Sequence, residues 1–310
     1  MASPQSVHDG VLLQSRGTEF GEAVYLARRG KRHYISSAAV IEELGFRWPD
    51  DVVQVPPAVL KALSIGGGVP HRLNNDIDPR SIQSSGAMRE YMARDLTGLG
   101  LEVGAGASPF PVPLECRVLY GDKIPHEKLV RDLYPGQQSH NLVMPDILTD
   151  FDTFQGIADN SLDFIIGCHV IEHCRNPIGS IVTAHRKLKS GGKLLLVVPD
   201  KERTFDKDRP VTSLDHLLED FTSPDRERDF QHYEEFFQLA FPVEEASRAD
   251  AVRAQFERDG DLHFHVWDYP AFMDMIDHIQ SELVQWSSVW SHPSMPNRES
   301  DIEFYVTLTK

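Results

Sequence analysis

Leu101-Glu102-Val103-Gly104-Ala105-Gly106-Ala107-Ser108-Pro109 is the stretch on which the fold turns. Leu99 to Val103 reads as a buried strand that runs straight into two glycines one residue apart. With no Cβ at either glycine, the chain can bend sharply and a ligand can approach its backbone. A purely structural glycine turn is the competing reading of so short a motif.

Outward from this bend, apolar runs and helical stretches alternate. Cys116–Tyr120, Asn141–Met144, Leu162–Ile166 and Lys193–Val198 read as further strands, the last apolar throughout, as when both sheet faces are covered. Before the bend, Ser84 or Ser85 caps a helix carrying Met88, Tyr91, Met92 and Leu96. Asn176 is a suitable N-cap and Pro177 a suitable first residue for a helix bearing Ile178, Ile181, Val182, His185 and Leu188, with Gly191 and Gly192 as its stop. A helix from Pro270 follows, and then Val284–Trp290 and Ile302–Leu308 as an antiparallel pair. The expectation is an α/β fold with a doubly wound, mostly parallel seven-stranded sheet.

The residues around the bend suggest the ligand. A dinucleotide needs a third glycine and a helix N-terminus aimed at its pyrophosphate. Here Pro109 takes the third position and Phe110-Pro111-Val112-Pro113 interrupts the helix start, so a cofactor without a phosphate fits better. Asp122 closes the second strand, eighteen residues after Gly104, where a carboxylate can accept from both hydroxyls of a ribose. Glu102, beside the bend, can hold an ammonium. Asp146, after the third expected strand, can accept from an adenine amino group, with Ile147 against the ring. A turn aspartate at 122 and a cap or turn residue at 146 are the local alternatives.

In this order the residues resemble the class I S-adenosylmethionine-dependent methyltransferases, over residues 85–200 and again over 265–310. The resemblance implies S-adenosylmethionine as cofactor, with Gly104 and Gly106 at its methionine, Asp122 at its ribose and Asp146 at its adenine. Cys168-His169-Val170-Ile171-Glu172-His173 with Asn176-Pro177, and residues 188–195, resemble the family's strand-four exit and strand-five lead-in. His169 is grouped with the cofactor residues on that basis. The sequence departs from the family at Pro109–Pro113, where many members begin a regular helix.

Methyl transfer is an in-line displacement that asks a protein chiefly for alignment, plus a base where the nucleophile is a hydroxyl or an amine. His173, beyond strand four, is the first candidate base, against a structural role for Glu172-His173 at a helix start. Residues 200–262 form an insertion with 18 Asp/Glu against 9 Lys/Arg, helical over Ser213–Phe221 and Gln231–Phe241. Its opening, from Pro199, resembles a bacterial methyltransferase subgroup linked to surface-glycan assembly. That resemblance implies a hydroxyl-rich acceptor gripped by Asp206, Arg209, Thr212 and His216; a solvated lid held by ion pairs is the alternative. His263 and His265 alternate, which places both on one face of an extended segment. His232 and His265 join His173 as catalytic candidates. Packed polar histidines are preferred to a metal site made of His232, His263 and His265. Cys168, His169, His173 and Cys174 lack the paired spacing of zinc ligands, so no metal is expected.

Residues 1–19 read as a flexible lead and 20–68 as a small α+β module with its linker. The module holds a hairpin around Arg29-Gly30-Lys31, and the linker is Gly66-Gly67-Gly68; residues 69–310 form the catalytic domain. Short matches (Tyr25-Leu26, Gly30–His33, Leu44–Trp48) resemble a module of bacterial cell-surface and glycan-related proteins. A net charge of −16 disfavours nucleic acid, despite the basic run Arg28–His33. Three cysteines form no disulfide framework, no apolar run reaches the ~20 residues of a membrane span, and no signal segment is expected, so a cytoplasmic setting is expected. The oligomeric state is left open. The sequence thus points to methylation of a polar, sugar-like acceptor. Its rivals are a metal-assisted methyltransferase acting on a small metabolite and a non-catalytic glycan-binding module on a degenerate cofactor fold.

Overall fold

A computed structural model describes residues 9–71, 77–241, 243–295 and 301–310. The chain forms two compact units that divide between Leu148 and Thr149.

The first unit begins with a five-stranded sheet made of β1 (Val11–Gln14), β2 (Val24–Arg28), β3 (Lys31–Ile35), β4 (Val52–Gln54) and β5 (Ser64–Val69), in the order β4-β1-β2-β3-β5. Helix α1 (Ala38–Glu43) packs on one face of this sheet through Val40 and Ile41, and α2 (Pro57–Lys61) on the other through Leu60. The β2–β3 hairpin turns through Arg29 and Gly30, both at positive φ, the geometry that matches the twist of its strands. Of the segment read as a flexible lead, residues 1–8 lie outside the described residues. Val11–Gln14, by contrast, is an inner strand between β2 and β4, and both its faces are covered. Leu12 packs with Val24, Leu26 and Ile35 on one side, and Leu13 with Phe20, Ala27 and Leu60 on the other. The glycines read as a linker are likewise strand β5. A methyl group at Gly67 would stand 2.1 Å from the Phe110 carbonyl, so only glycine permits this approach. The Gly67 N–H donates to Tyr120 Oη at 2.9 Å.

The same unit continues with α3 (Ser85–Ala93), capped by Ser84, then β6 (Leu99–Val103), β7 (Arg117–Asp122), the short α4 (His126–Lys128) and β8 (Ile147–Leu148). β6 pairs in parallel with β7, and β7 with β8. The expected third strand, 141–144, is not one. Pro145 has no N–H to give a ladder, and pairing starts only where the Asp146 N–H reaches the Tyr120 carbonyl at 2.7 Å.

The second unit holds β9 (Leu162–Cys168), α5 (Pro177–Lys187), β10 (Leu188–Pro199), α6 (Leu214–Thr222), α7 (Arg226–Glu235), α8 (Glu245–Glu257), α9 (Tyr269–Glu282), β11 (Ser288–His292) and β12 (Glu303–Thr309). Asn176 caps α5 by accepting from the Gly179 N–H at 2.8 Å. The glycine stop does not act as a cap. The helix ends at Lys187, and Gly191 instead serves a register shift inside β10. Ile165, Ile166 and Leu194 to Val198 are fully buried, as a central parallel pair requires. β12 runs antiparallel to both β10 and β11. The full sheet has seven strands in the order β11-β12-β10-β9-β6-β7-β8. No helix among the described residues is long and apolar enough to cross a membrane.

Candidate active site

In the first unit, β6 ends at Val103 and Gly104 and Gly106 take φ values of 72° and 52°, a region where a side chain would be strained. A methyl group at Gly106 would stand 2.3 Å from Tyr134 Oη, so that hydroxyl lies directly against the bend. The Gly106 carbonyl accepts from the Val143 N–H at 2.8 Å, which explains why 142–143 are buried without forming a strand. Tyr134 carries no signal in the sequence beyond being an aromatic residue.

Glu102 is 1% exposed. Its Oε1 accepts from the Phe110 N–H at 2.9 Å, while Oε2 is buried with no hydrogen-bond partner. Burial pushes its carboxyl up to about 8. The proline-rich stretch therefore has a local purpose: it presents an amide to Glu102 where a regular helix would not. Asp122 is 8% exposed at the end of β7, and its Oδ1 accepts from the Ile124 N–H at 3.2 Å.

Asp146 has a structural contact beside the role expected of it. It precedes β8, its Oδ2 accepts from the Tyr120 N–H at 3.0 Å, and Lys31 Nζ lies 3.6 Å from the same oxygen. Oδ2 thus fastens β7, and the side chain also lines a cavity of about 500 Å³ with Arg28, Lys31, Arg117 and Tyr120. Ile147 is a β8 residue paired with Gly121.

In the second unit two polar clusters form. The first surrounds Glu172, which is 1% exposed and has neither carboxylate oxygen hydrogen-bonded. His169 Nδ1 and His173 Nε2 lie 3.9 Å, and His263 Nε2 4.0 Å, from its Oε1. His169, at the end of β9, has a φ of 54°, an uncommon and strained backbone for a non-glycine residue, and its Nε2 lies 2.7 Å from Glu303 Oε2. His173 Nδ1 is 3.3 Å from Asp261 Oδ1. His263 Nδ1 is 2.6 Å from Asp206 Oδ2, and the exposed ring of Phe205 lies 4.8 Å from the His263 ring. Burial acts to raise Asp206, but His263 and Arg209 outweigh it and hold the carboxyl below its usual range. Such an Asp–His pair fixes the imidazole tautomer and leaves Nε2 free to take a proton.

Arg209 departs from its expected role. Its side chain is fully buried, bonded to Asp206, Glu235 and the carbonyls of His263 and Phe264. It cannot meet a solvent-borne substrate, and it ties the insertion to residues 263–264.

The second cluster joins His216, Asp220, His232 and His265. Expected at the substrate (His216) and as catalytic groups (His232, His265), these histidines instead face one another. His265 is fully buried and His232 nearly so. Burial pushes His232 down to about 4 and His265 well below the usual histidine range. His263 and His265 do not share a face. The N–H groups of Phe264 and His265 converge on the Glu172 carbonyl at 2.8 and 3.3 Å, which breaks the alternation of an extended strand and sends the two rings to different clusters.

A family model described as a methyltransferase domain matches residues 89–285. The chain belongs to this methyltransferase family. Its enzyme class is S-adenosylmethionine-dependent methyltransferase, with S-adenosylmethionine as cofactor. No curated protein matches the chain. Among solved structures, the methyltransferase is similar to an S-adenosylmethionine-dependent methyltransferase from Thermotoga maritima, with 15% identity, 68% of this chain and 81% of that chain covered, and a TM-score of 0.35. It is also similar to the CurJ carbon methyltransferase, at 13% identity, 76% and 61% coverage and a TM-score of 0.39. A third is an arsenic(III) S-adenosylmethionine methyltransferase from Chlamydomonas reinhardtii, at 13% identity, 68% and 62% coverage and a TM-score of 0.32. The chain spans less than two thirds of the length of these last two. The first unit fits the cofactor: an orphaned buried carboxylate oxygen on a strand that ends in two positive-φ glycines suits an ammonium-bearing, phosphate-free ligand.

Proposed function

We propose that the methyltransferase transfers a methyl group to a hydroxyl of a polar, sugar-like small molecule or glycan, with His263 as the base. The observation that carries this reading is the 2.6 Å contact between His263 Nδ1 and buried Asp206, which leaves His263 Nε2 as the acceptor of the hydroxyl proton. Asp206 and Glu172 then face the imidazolium that forms. The exposed Phe205 ring, packed on His263, offers an aromatic platform for a sugar ring. His173, paired with Asp261, orients the acceptor from the other side of His263, to which its ring packs edge-on at 4.8 Å.

Bound S-adenosylmethionine supplies the electrophilic methyl carbon. On this reading Glu102 holds its ammonium, Gly104 and Gly106 let its methionine approach the backbone, and Asp122 receives its ribose hydroxyls. Tyr134 covers the bend. Asp146 and Ile147, besides fastening β7 and β8, are the candidates for the cofactor's adenine. The resemblance of the insertion's opening to a glycan-assembly subgroup supports the acceptor class, and the net charge of −16 supports a partner other than nucleic acid.

The test is a transfer assay with methyl-labelled cofactor and a panel of sugars, sugar nucleotides, amines and thiols. The expected result is product from hydroxyl acceptors only, with His263→Gln lowering kcat about 10²- to 10⁴-fold in a folded protein that still binds cofactor. Transfer confined to amines or thiols, or an unchanged kcat in the variant, contradicts the reading.

A further inference from the structure

We propose that His216, Asp220, His232 and His265 bind one zinc ion that fastens the insertion. α6 contributes His216 and Asp220, four residues apart and so on one helix face. α7 contributes His232, and the segment before α9 contributes His265. His216 Nε2 lies 3.3 Å from His232 Nε2 and 3.0 Å from Asp220 Oδ2, and His265 Nε2 lies 3.7 Å from the same oxygen. Zinc bonds of about 2.0–2.1 Å to nitrogen and oxygen give a tetrahedron with edges of about 3.3–3.4 Å, and the observed spacings bracket that value. Three imidazoles and one carboxylate are donors that zinc accepts.

Hydrogen bonding alone serves this cluster poorly. Asp220 Oδ2 is buried without a hydrogen bond, and two histidine Nε2 atoms face each other. Each such unmet group carries a desolvation cost, and a dication at the centre meets the four inward atoms together. The group behind Asp220 suits this arrangement. Arg228 Nη1 lies 3.5 Å from Asp220 Oδ1, which leaves Oδ2 turned inward. Zinc binding costs the 3.3 Å contact of His265 Nε2 with the Arg175 carbonyl and moves the ring's proton to Nδ1, against which stand the four bonds to the ion. The charge of nearby Arg209 is offset by Asp206 and Glu235.

Four protein donors close the coordination sphere, which marks a structural ion. It crosslinks α6 and α7 to the segment that carries His263 two residues before His265. The ion thereby holds the base in place without touching the acceptor, and the proposal stands whether or not His263 proves to be that base.

The experiment uses the full chain, purified without a polyhistidine tag, with metal measured by mass spectrometry and stability by thermal melting. The expected content is about one zinc per chain in wild type and below about a tenth in the His232→Gln/His265→Gln double variant. Chelation is expected to lower the wild-type Tm by about 5 °C or more, with recovery on zinc addition, and cobalt(II) in place of zinc gives the strong visible band of a tetrahedral site. Wild type that holds less than about a tenth of an equivalent after zinc addition and desalting, with a Tm indifferent to chelator, overturns the proposal. So does a folded double variant that keeps its zinc. Should the double variant fail to fold, the chelation, zinc-recovery and cobalt measurements on wild type decide alone.

Discussion

Glu102 sits on an apolar strand with one oxygen bonded and one not, and burial lifts its carboxyl to about 8. At pH 7 the free protein therefore holds it mostly protonated, and a cofactor ammonium favours the carboxylate. Binding of S-adenosylmethionine at pH 7 is expected to release protons, read from calorimetry in buffers of different ionisation enthalpy. Glu102→Gln abolishes that release and weakens binding. Because the folded value lies above the unfolded one, this group's stabilising contribution is present below about pH 4 and is lost as pH rises through 8. The Gln variant is thus expected to melt higher than wild type at pH 8 without cofactor. Asp206 has the opposite sign. Held low by His263 and Arg209, it stabilises above about pH 4, and that contribution disappears as acid protonates it. That Glu102, Gly104 and Gly106 stand where one strand ends and Asp122 where the next one ends was legible in the sequence, because an apolar run that meets glycines or an acid marks its own end. The Asp206–His263 pair was not, since 57 residues separate its members and only the tertiary fold joins them.

At the scale of elements, the bend after β6 and the anchoring of the insertion are the parts most sensitive to substitution. Gly106→Ala places a side chain in left-handed backbone and against Tyr134, and is expected to cost about 1–3 kcal/mol and most of the cofactor affinity. Arg209→Ala leaves Asp206 buried without its guanidinium and is expected to destabilise by about 3–5 kcal/mol, measured by denaturant unfolding. The strands β6, β9 and β10 and the capped helices α5, α6 and α9 follow from local signals: apolar runs, Asn176, Ser213 and Asp268 as caps, and Pro177 and Pro270 at helix starts. Helix α8 escaped such a reading because only Val252 is buried along it, so it shows no apolar stripe. β1 escaped it because two adjacent leucines facing opposite sides break the alternation expected of a half-buried strand.

Across the whole molecule, the chain couples an unremarkable cofactor scaffold to an insertion that holds 9 of its 16 net negative charges. The mostly parallel seven-stranded sheet was readable from the rhythm of strands and helices, since strands that alternate with helices pair in parallel through right-handed crossovers. The five-stranded sheet was underestimated, because its last strand is written in glycines whose need shows only when Phe110 and Tyr120 arrive beside Gly67. Everything proposed about catalysis depends on an adenosyl amino acid occupying the bend after Val103. Calorimetric titration of the full chain with S-adenosylmethionine measures that directly. Binding with a Kd on the order of micromolar, weakened about tenfold or more by Asp122→Ala in a folded variant, is the expected result. A folded wild type that takes up no S-adenosylmethionine, or takes up a dinucleotide at this bend in its place, is the result that contradicts it.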